Sequence, residues 1–584
     1  MNRTDRAVVA ALVLVLAVAA IAIGSPAFTP QGSAAAPSGH PSPSPALPYR
    51  EGELGRPVSV SPLGARSQVD RDLVALVFEG LTKLDSDGRP IPALATSWTS
   101  DDTGATWTFR LQPDATWQDG QPVTADDVVF TIDTLRDPAY HGPGAGSWQG
   151  VTATAVDDHT VRFDLEDPFA GFLALTTQPI APRHLLGNTP PSAMAGDPFG
   201  EAPIGSGPYA VVELDRDHAV LEPAGVAAEP SASDAGSSAG PSGGVLAPSD
   251  ALGPSHPTPR PTDPRPSLAR LEFRFFDAPD QLVAAFRAGE LDAASGLAPL
   301  DVAGLSALPG TRLVRDPSTT IAAILLNLRP SHLEFRDPKV RLALLETIDR
   351  PAIIGAAFGG LASRADAFVP PTSWAFDPAA SPVVKRDTKA AAKALTAAGW
   401  KKAADGWRAP SAKVATPLEV LVPSRATNPA LYAVGSTVVD NWVAIGLAAK
   451  LVEIDPATLA TDHLRTGDFS AAVVDIAVGH DPDLYPLFAS SQVQTGGANV
   501  IGLQDPVLDG LLEAARAPAA DPARMAAFKA LQARLAGGTY ALPIAWPDSV
   551  VAVRDRVIGP APRTVADGSE RFWDVLTWRL ADDR

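Results

Sequence analysis

Apolar and polar positions follow two periods along this chain, and the switches between them mark its elements. Trp107, Phe109 and Leu111 alternate with Thr106, Thr108 and Arg110, the period of a strand with one buried face. Asp119-Gly120 is a turn signal. Thr124 with Asp127 three positions on is a capping-box pattern, opening a helix whose Val128, Val129, Ile132 and Leu135 form one apolar side and which Pro138 ends. A hairpin is expected from Val156 to Leu165, with Asp157-Asp158 at its turn and Val161, Phe163 and Leu165 alternating. Leu271 to Asp277 resumes the alternation and leads into a helix with Leu282, Ala285 and Phe286 on one side, closed by Gly289. Ile324 to Leu328 reads as a buried strand, and Asp337-Pro338 caps and starts a helix through Val340, Leu344 and Ile348.

From Leu418 the pattern becomes strand, helix, strand, and a second such unit ends in the apolar run Phe469 to Val478. Units of this kind require right-handed crossovers and predict a largely parallel sheet, with ligands gathering beyond the carboxyl ends of its strands. Gly479, His480, Asp481, Pro482 and Asp483 follow that last strand and form the best candidate site on pattern alone. The fold class is α/β.

Two stretches depart from these periods. Arg3 and Arg6 precede an uninterrupted apolar run, 7–23, so residues 1–24 read as a signal peptide or a membrane anchor with its positive flank in the cytoplasm. Residues 25–55 are expected to be a disordered Pro/Ser linker, and Pro223 to Ser267, built of Pro, Ser, Ala, Gly and Asp, a disordered surface insertion, because neither has apolar content to bury.

Composition narrows function by exclusion. Among 584 residues there is no cysteine, which removes disulfides, thiolate nucleophiles and Cys-based metal sites. A formal net charge of −19 opposes nucleic acid or an anionic membrane surface as partner. Nine histidines lack metal-ligand spacing, and no nucleophile elbow, HExxH or Walker loop occurs, so no metal, cofactor or catalysis is expected.

The stretch from Phe78 to Leu135 carries more than local structure. Its EGL, Asp-Gly turn, IPALATSW, TWTFRL and WQDGQPVTADDVVF follow one another in an order that resembles the extracellular solute-binding proteins, family 5, which serve peptide and nickel ABC importers. The segment APIGSGPYAVVEL, GELDAA and RDPKVRLALLETIDR continue the resemblance to about Ile558. It implies a two-lobed periplasmic-binding-protein-like fold of type II with an extra α+β accessory domain and an interlobe ligand cleft. One lobe would take 56–77, 198–277 and 539–584, the accessory domain 78–197 and the second lobe 278–538, which the chain would enter at a hinge in GELDAA.

The implied function is extracytoplasmic capture of a peptide-like or other small solute for ABC permease subunits, with the N-terminal segment holding the protein at the cell membrane. The resemblance places ligand contacts in the loop of His480, Asp481 and Asp483, with Asp475 as an alternative polar group and Arg66 and Gln68 approaching from the first lobe. Trp374, in a PPTSWAF loop, is the aromatic candidate. Where peptide-binding members carry an amine-binding aspartate, this chain has Val478. Two other classes share these residues. One is a secreted hydrolase using Asp481 and Asp483 as acid and base, the other a membrane-anchored sensor that keeps the fold without transport.

Overall fold

The chain folds from Tyr49, earlier than its composition suggests. The structure, a computed structural model, describes residues 47–225, 266–410, 412–494, 497–518 and 521–581. The apolar run 7–23 and all but the ends of the insertion lie outside them. β1 (Tyr49–Leu54) is a strand at the heart of a twelve-stranded sheet, so the linker expected through residue 55 is corrected at its end. The reading failed because the buried positions of β1 are acidic. Glu51 and Glu53 are buried, and Arg571 donates to them at 2.8 Å and 2.9 Å and pairs with Asp72 at 2.7 Å. A guanidinium with several carboxylates makes a polar pattern compatible with a core.

The helix Gln68–Val77 follows, capped reciprocally: Ser67 Oγ accepts from the Asp70 N–H at 3.0 Å, and the Asp70 carboxylate accepts from the Ser67 N–H at 2.8 Å. β2 (Thr82–Leu84) and β3 (Pro90–Pro92) form a short hairpin. β4 (Ala95–Ser100), β5 (Thr106–Leu111), β6 (Val151–Asp157) and β7 (Thr160–Leu165) form a separate antiparallel sheet in the order β4-β5-β7-β6. The helix Ala125–Arg136 packs on it and begins at Thr124, whose N–H and hydroxyl both donate to Asp127. Phe109, Phe163, Phe172 and Trp148 make an aromatic cluster between the sheet and the loop that follows it.

β8 (Tyr209–Leu214), β9 (His218–Pro223) and β10 (Leu271–Phe276) return to the large sheet, where β1 runs parallel to β10 and to β11 (Ala293–Ser295). The return passes Gly205, where a Cβ would stand 1.8 Å from the Val77 carbonyl oxygen, so a side chain is impossible there. The helix Pro279–Arg287 buries Leu282, Ala285 and Phe286, the three positions expected.

β12 (Thr311–Pro317) and β13 (Thr320–Leu326) lead to the second half of the sheet. There follow β14 (Ala362–Arg364), the small hairpin of β15 (Lys401–Ala403) and β16 (Gly406–Arg408), and the parallel set β17 (Leu418–Pro423), β18 (Ala449–Ile454) and β19 (Ala471–Ala477). β20 (Ala541–Arg554) is long enough to join the halves: Ala541–Ala545 pairs with β13, and Asp548–Arg554 with β12. The chain therefore passes between halves at Ser318-Thr319 and near Pro547. These passages lie away from the boundaries expected at 278 and 538. β11 still pairs with β1 and β20, because GELDAA feeds a strand of the first half before the chain crosses.

The expected largely parallel sheet is likewise corrected to a mixed one. β13, inserted beside β19, runs antiparallel to both β19 and β20. Two apolar clusters cover opposite faces of this half. Trp442 of the helix Pro429–Ala444 is buried in one, and the helices Pro506–Arg516 and Asp521–Gly538 supply Leu512, Phe528 and Leu531 to the other.

Candidate functional site

A cleft of about 610 Å³ opens between the second half of the sheet, the β2–β3 hairpin and the segment 170–174 that follows β7. One wall is the β2–β3 turn at Ser86–Arg89 together with the loop Ala170–Ala174; the other is the loop carrying Trp374, then His480 and Asp481 beyond β19, and Arg524. Thr319, at the passage between β12 and β13, and Thr564 complete it.

His480 reaches across: its Nε2 lies 2.8 Å from Glu570 Oε2, and its ring packs on the β2–β3 turn. A Cβ at Gly88 would stand 2.8 Å from His480 Nδ1, and Gly88 has φ +75°, so both the turn and the close approach require glycine. Glu570 also accepts from Arg563 Nη2 at 2.8 Å and from the Ala566 N–H at 3.2 Å. Burial pushes its carboxyl up, but the His480 hydrogen bond and the charges of His480 and Arg563 outweigh this and hold it below the ordinary glutamate value.

Asp481 is held by both oxygens: Arg524 Nη1 and Nη2 donate at 2.9 Å and 2.7 Å. The guanidinium lies 4.7 Å from the Trp374 ring centroid, and Trp374 stands edge-on to Phe528 while leaving 39% of its surface exposed. Thr319 is 2% exposed and its hydroxyl has no hydrogen-bond partner among the described residues. The walls also touch at the rim, where the Ala170 N–H donates to the Arg516 carbonyl at 2.9 Å and the Arg516 guanidinium packs against Phe169 and Tyr485.

Of the residues singled out in the sequence, the structure brings His480, Asp481 and Trp374 together in this cleft. Asp483 sits just behind it, accepting from the Tyr485 N–H at 3.0 Å and facing Arg516 at 3.4 Å, and burial raises its carboxyl. Asp475 lies opposite Ala322 within the sheet, exposed and away from the cleft lining. Arg66 and Gln68 are elsewhere too. The capping of the helix Gln68–Val77 turns Arg66 outward to the His141 carbonyl at 3.3 Å, and Gln68 donates to Asp72 at 2.8 Å and Asp567 at 3.1 Å. Val478 is buried in an apolar cluster with Ile476 and Leu484 and offers the cleft no polar group.

Sequence reasoning missed Arg524, Thr319, Glu570 and the Ser86–Arg89 turn. Arg524 stands in a helix of ordinary charged pattern, and nothing local distinguishes it. The turn carried a signal, Ser-Asp-Gly, that reads as a hairpin and says nothing about what it touches. A second cavity, of about 680 Å³, lies between the helix Gln68–Val77, the β2–β3 hairpin and the C-terminal segment, and is lined by Phe78, Phe572, Trp573 and Arg563. Among the described residues no group of three or more acidic or histidine side chains is placed to hold a metal ion. No helix among them is long and apolar enough to cross a membrane.

Residues 89–496 match the family described as Bacterial extracellular solute-binding proteins, family 5 Middle. Protein XP55 of Streptomyces lividans is 26% identical over 541 residues, covering 91% of this chain and 86% of that protein. The oligopeptide-binding protein AppA of Bacillus subtilis is 23% identical over 474 residues, 80% of each. The structure of that AppA in complex with a nonapeptide superposes with a TM-score of 0.69 at 21% identity, over 92% of this chain and 99% of that one. CtaP of Listeria monocytogenes, an ABC transporter substrate binding protein, gives 0.72 at 23% identity, over 92% and 100%.

Proposed function

The chain belongs to the bacterial extracellular solute-binding proteins of family 5, and on that premise we propose that it captures a peptide-like or other small solute in the 610 Å³ cleft and delivers it to its ABC permease. The observation that carries this reading is the origin of the cleft walls. His480 and Asp481, beyond the carboxyl end of β19, face the β2–β3 turn and the segment 170–174, and among the described residues the chain crosses between the halves of the sheet at two neighbouring points. Such an arrangement opens and closes by small backbone changes at the crossings, and a solute that contacts both walls shifts the population towards the closed form.

In this reading one lobe holds β1, β8 to β12 and the end of β20, the other holds β13 to β19, and the antiparallel sheet of β4 to β7 is the accessory domain. His480, Asp481, Trp374, Thr319 and Arg524 form the binding surface, and the protein acts by binding without chemistry. The folded part works outside the cytoplasm, brought there by residues 1–24, which either are removed or remain as an anchor.

The reading is tested with protein purified under native conditions and then denatured. A small molecule released in stoichiometric amount is expected, and Trp374→Ala, which alters only a partly exposed side chain, is expected to copurify with at least tenfold less of it. Equal retention by Trp374→Ala would remove the cleft assignment.

A further inference from the structure

The two contacts that His480 makes across the cleft, with Glu570 and with Gly88, both rest on one buried arginine. Arg563 exposes 2% of its side chain and spreads its guanidinium over both supports. Its Nη2 donates to Glu570 Oε2 at 2.8 Å, the same oxygen that lies 2.8 Å from His480 Nε2. Its Nη1 donates at 3.1 Å to the carbonyls of Leu84 and Asp85, at the root of the β2–β3 turn. Asp85 in turn builds that turn: its carbonyl accepts from the Gly88 N–H at 3.0 Å, and its Oδ1 accepts from the N–H groups of Asp87 and Arg89 at 2.9 Å each. The rigid fork of a guanidinium suits this task, since it serves two carbonyls and a carboxylate at once.

This socket is fixed where the chain crosses between the halves. The Arg563 N–H donates to Asp316 Oδ1 at 3.0 Å, near the end of β12, and the Thr319 N–H donates to the Val565 carbonyl at 2.9 Å. Ser318 and Val565 pair as a single parallel bridge. His480 enters from the other half, just beyond β19, and exposes 10% of its side chain. Glu570 accepts from Arg563 and from the Ala566 N–H, so His480 meets it through an Nε2–H whether or not the ring carries a charge. Nδ1 is left facing Gly88, where the lack of a side chain makes room for the ring.

We infer that Arg563 is a positioning residue for solute capture: it holds the Gly88 turn and Glu570 as a preformed socket, and His480 seated in that socket keeps the two halves closed. The inference rests on the reading of the halves as lobes that close over a solute, and adds where the closed form is held. Arg563 is not part of the cleft lining. It acts on affinity through the fraction of molecules that are closed.

The test needs no identified solute. The chain has no cysteine, so Val212→Cys on β8 and Val443→Cys on the helix Pro429–Ala444, both half exposed, take spin labels on opposite halves of the full chain as purified. Pulsed electron resonance then reads the ratio of short to long distances between the halves. His480→Ala is expected to lower that ratio about tenfold, the loss of one hydrogen bond to a charged partner. Gly88→Ala, whose Cβ would stand 2.8 Å from His480 Nδ1, and Arg563→Met are expected to do the same. Adding His480→Ala to Arg563→Met should change the ratio by less than about twofold, because the socket is already lost. Where Arg563→Met does not fold, Arg563→Lys, which keeps the charge without the fork, takes its place in this cycle. Additive losses would make Arg563 a structural residue only and overturn the proposal, as would an unchanged ratio in His480→Ala and Gly88→Ala. The reading of the cleft fails separately. Distances that shift as expected while Trp374→Ala keeps its copurified molecule would leave the socket standing and remove the cleft as the solute site.

Discussion

Asp481 shows how one side chain can serve a fold and a site at once. Both its oxygens are engaged by Arg524, and its own carbonyl accepts from the Asp483 N–H at 2.8 Å, so it shapes the loop beyond β19 while standing in the cleft wall. The loop's sequence, Asp-Pro-Asp, is compatible with a turn former or a ligand contact; the structure shows the turn, and places Asp481 in the cleft lining against Arg524. Asp481→Ala leaves the Arg524 guanidinium largely buried with the Ala515 carbonyl, the faces of Trp374 and Phe528 and the nearby charge of Asp483 around it. The empty protein should lose about 2 kcal/mol by urea unfolding, less than a fully buried pair because Asp481 keeps some solvent contact. Affinity for the copurified solute should fall ten- to a hundredfold in the same variant. An unchanged unfolding midpoint would mean that Arg524 finds water or another acceptor when Asp481 is removed.

Elements far apart in the chain are tied by a buried cluster that no single one of them predicts. Arg571, in the C-terminal 3₁₀ helix Gly568–Thr577, meets Glu51 and Glu53 of β1 and Asp72 of the helix Gln68–Val77. Tyr49 donates to Glu51 at 2.7 Å. Three carboxylates share one guanidinium; burial first, and then the charge of Asp72, raise the Glu53 carboxyl well above the ordinary range. Arg571→Met should cost about 3 to 5 kcal/mol at pH 7, since it leaves the carboxylates buried together. That deficit should narrow as pH is lowered towards 4 and the carboxylates take up protons. Urea unfolding at several pH values measures it, and a deficit independent of pH would assign the loss to packing against Phe572, which the guanidinium covers at 4.1 Å.

At the scale of the molecule, the contacts that close the cleft also respond to acid. Glu570 joins His480 from one side and Arg563 from its own segment, and its carboxyl is held below its ordinary value. A depressed carboxyl contributes stability that is fully present above its unfolded value, near 4.3, and lost as pH falls through the lower folded value. Native protein and Glu570→Gln should therefore differ most at pH 7, by about 1 to 2 kcal/mol, and converge below pH 4. Thermal unfolding of both across pH 3 to 7 checks this; a constant difference would deny Glu570 the charged role. Family membership gives the topology its own prediction. Protease added to intact cells should digest the folded part, and full protection would contradict export.

The alternation of Trp107 to Leu111, the capping at Thr124, the helix face of Leu282 to Phe286 and the strand that precedes His480 were legible because each is set by neighbours within about a dozen residues. So was the place of the loop beyond β19, at the carboxyl end of a strand paired in parallel with β17. The linker reading failed at its end where partners came from far along the chain. β1 looked like linker because its buried carboxylates are answered more than five hundred residues later by Arg571. Arg66 and Gln68 lie outside the cleft lining, Arg66 with its guanidinium on the His141 carbonyl and Gln68 donating to Asp72 and Asp567. Arg524 and Thr319 stayed hidden for the same reason. Their place in the cleft comes from the path of β20 across both halves of the sheet and from the β2–β3 turn against His480, and long-range pairing of that kind leaves no periodic trace in the sequence around the residues it brings together.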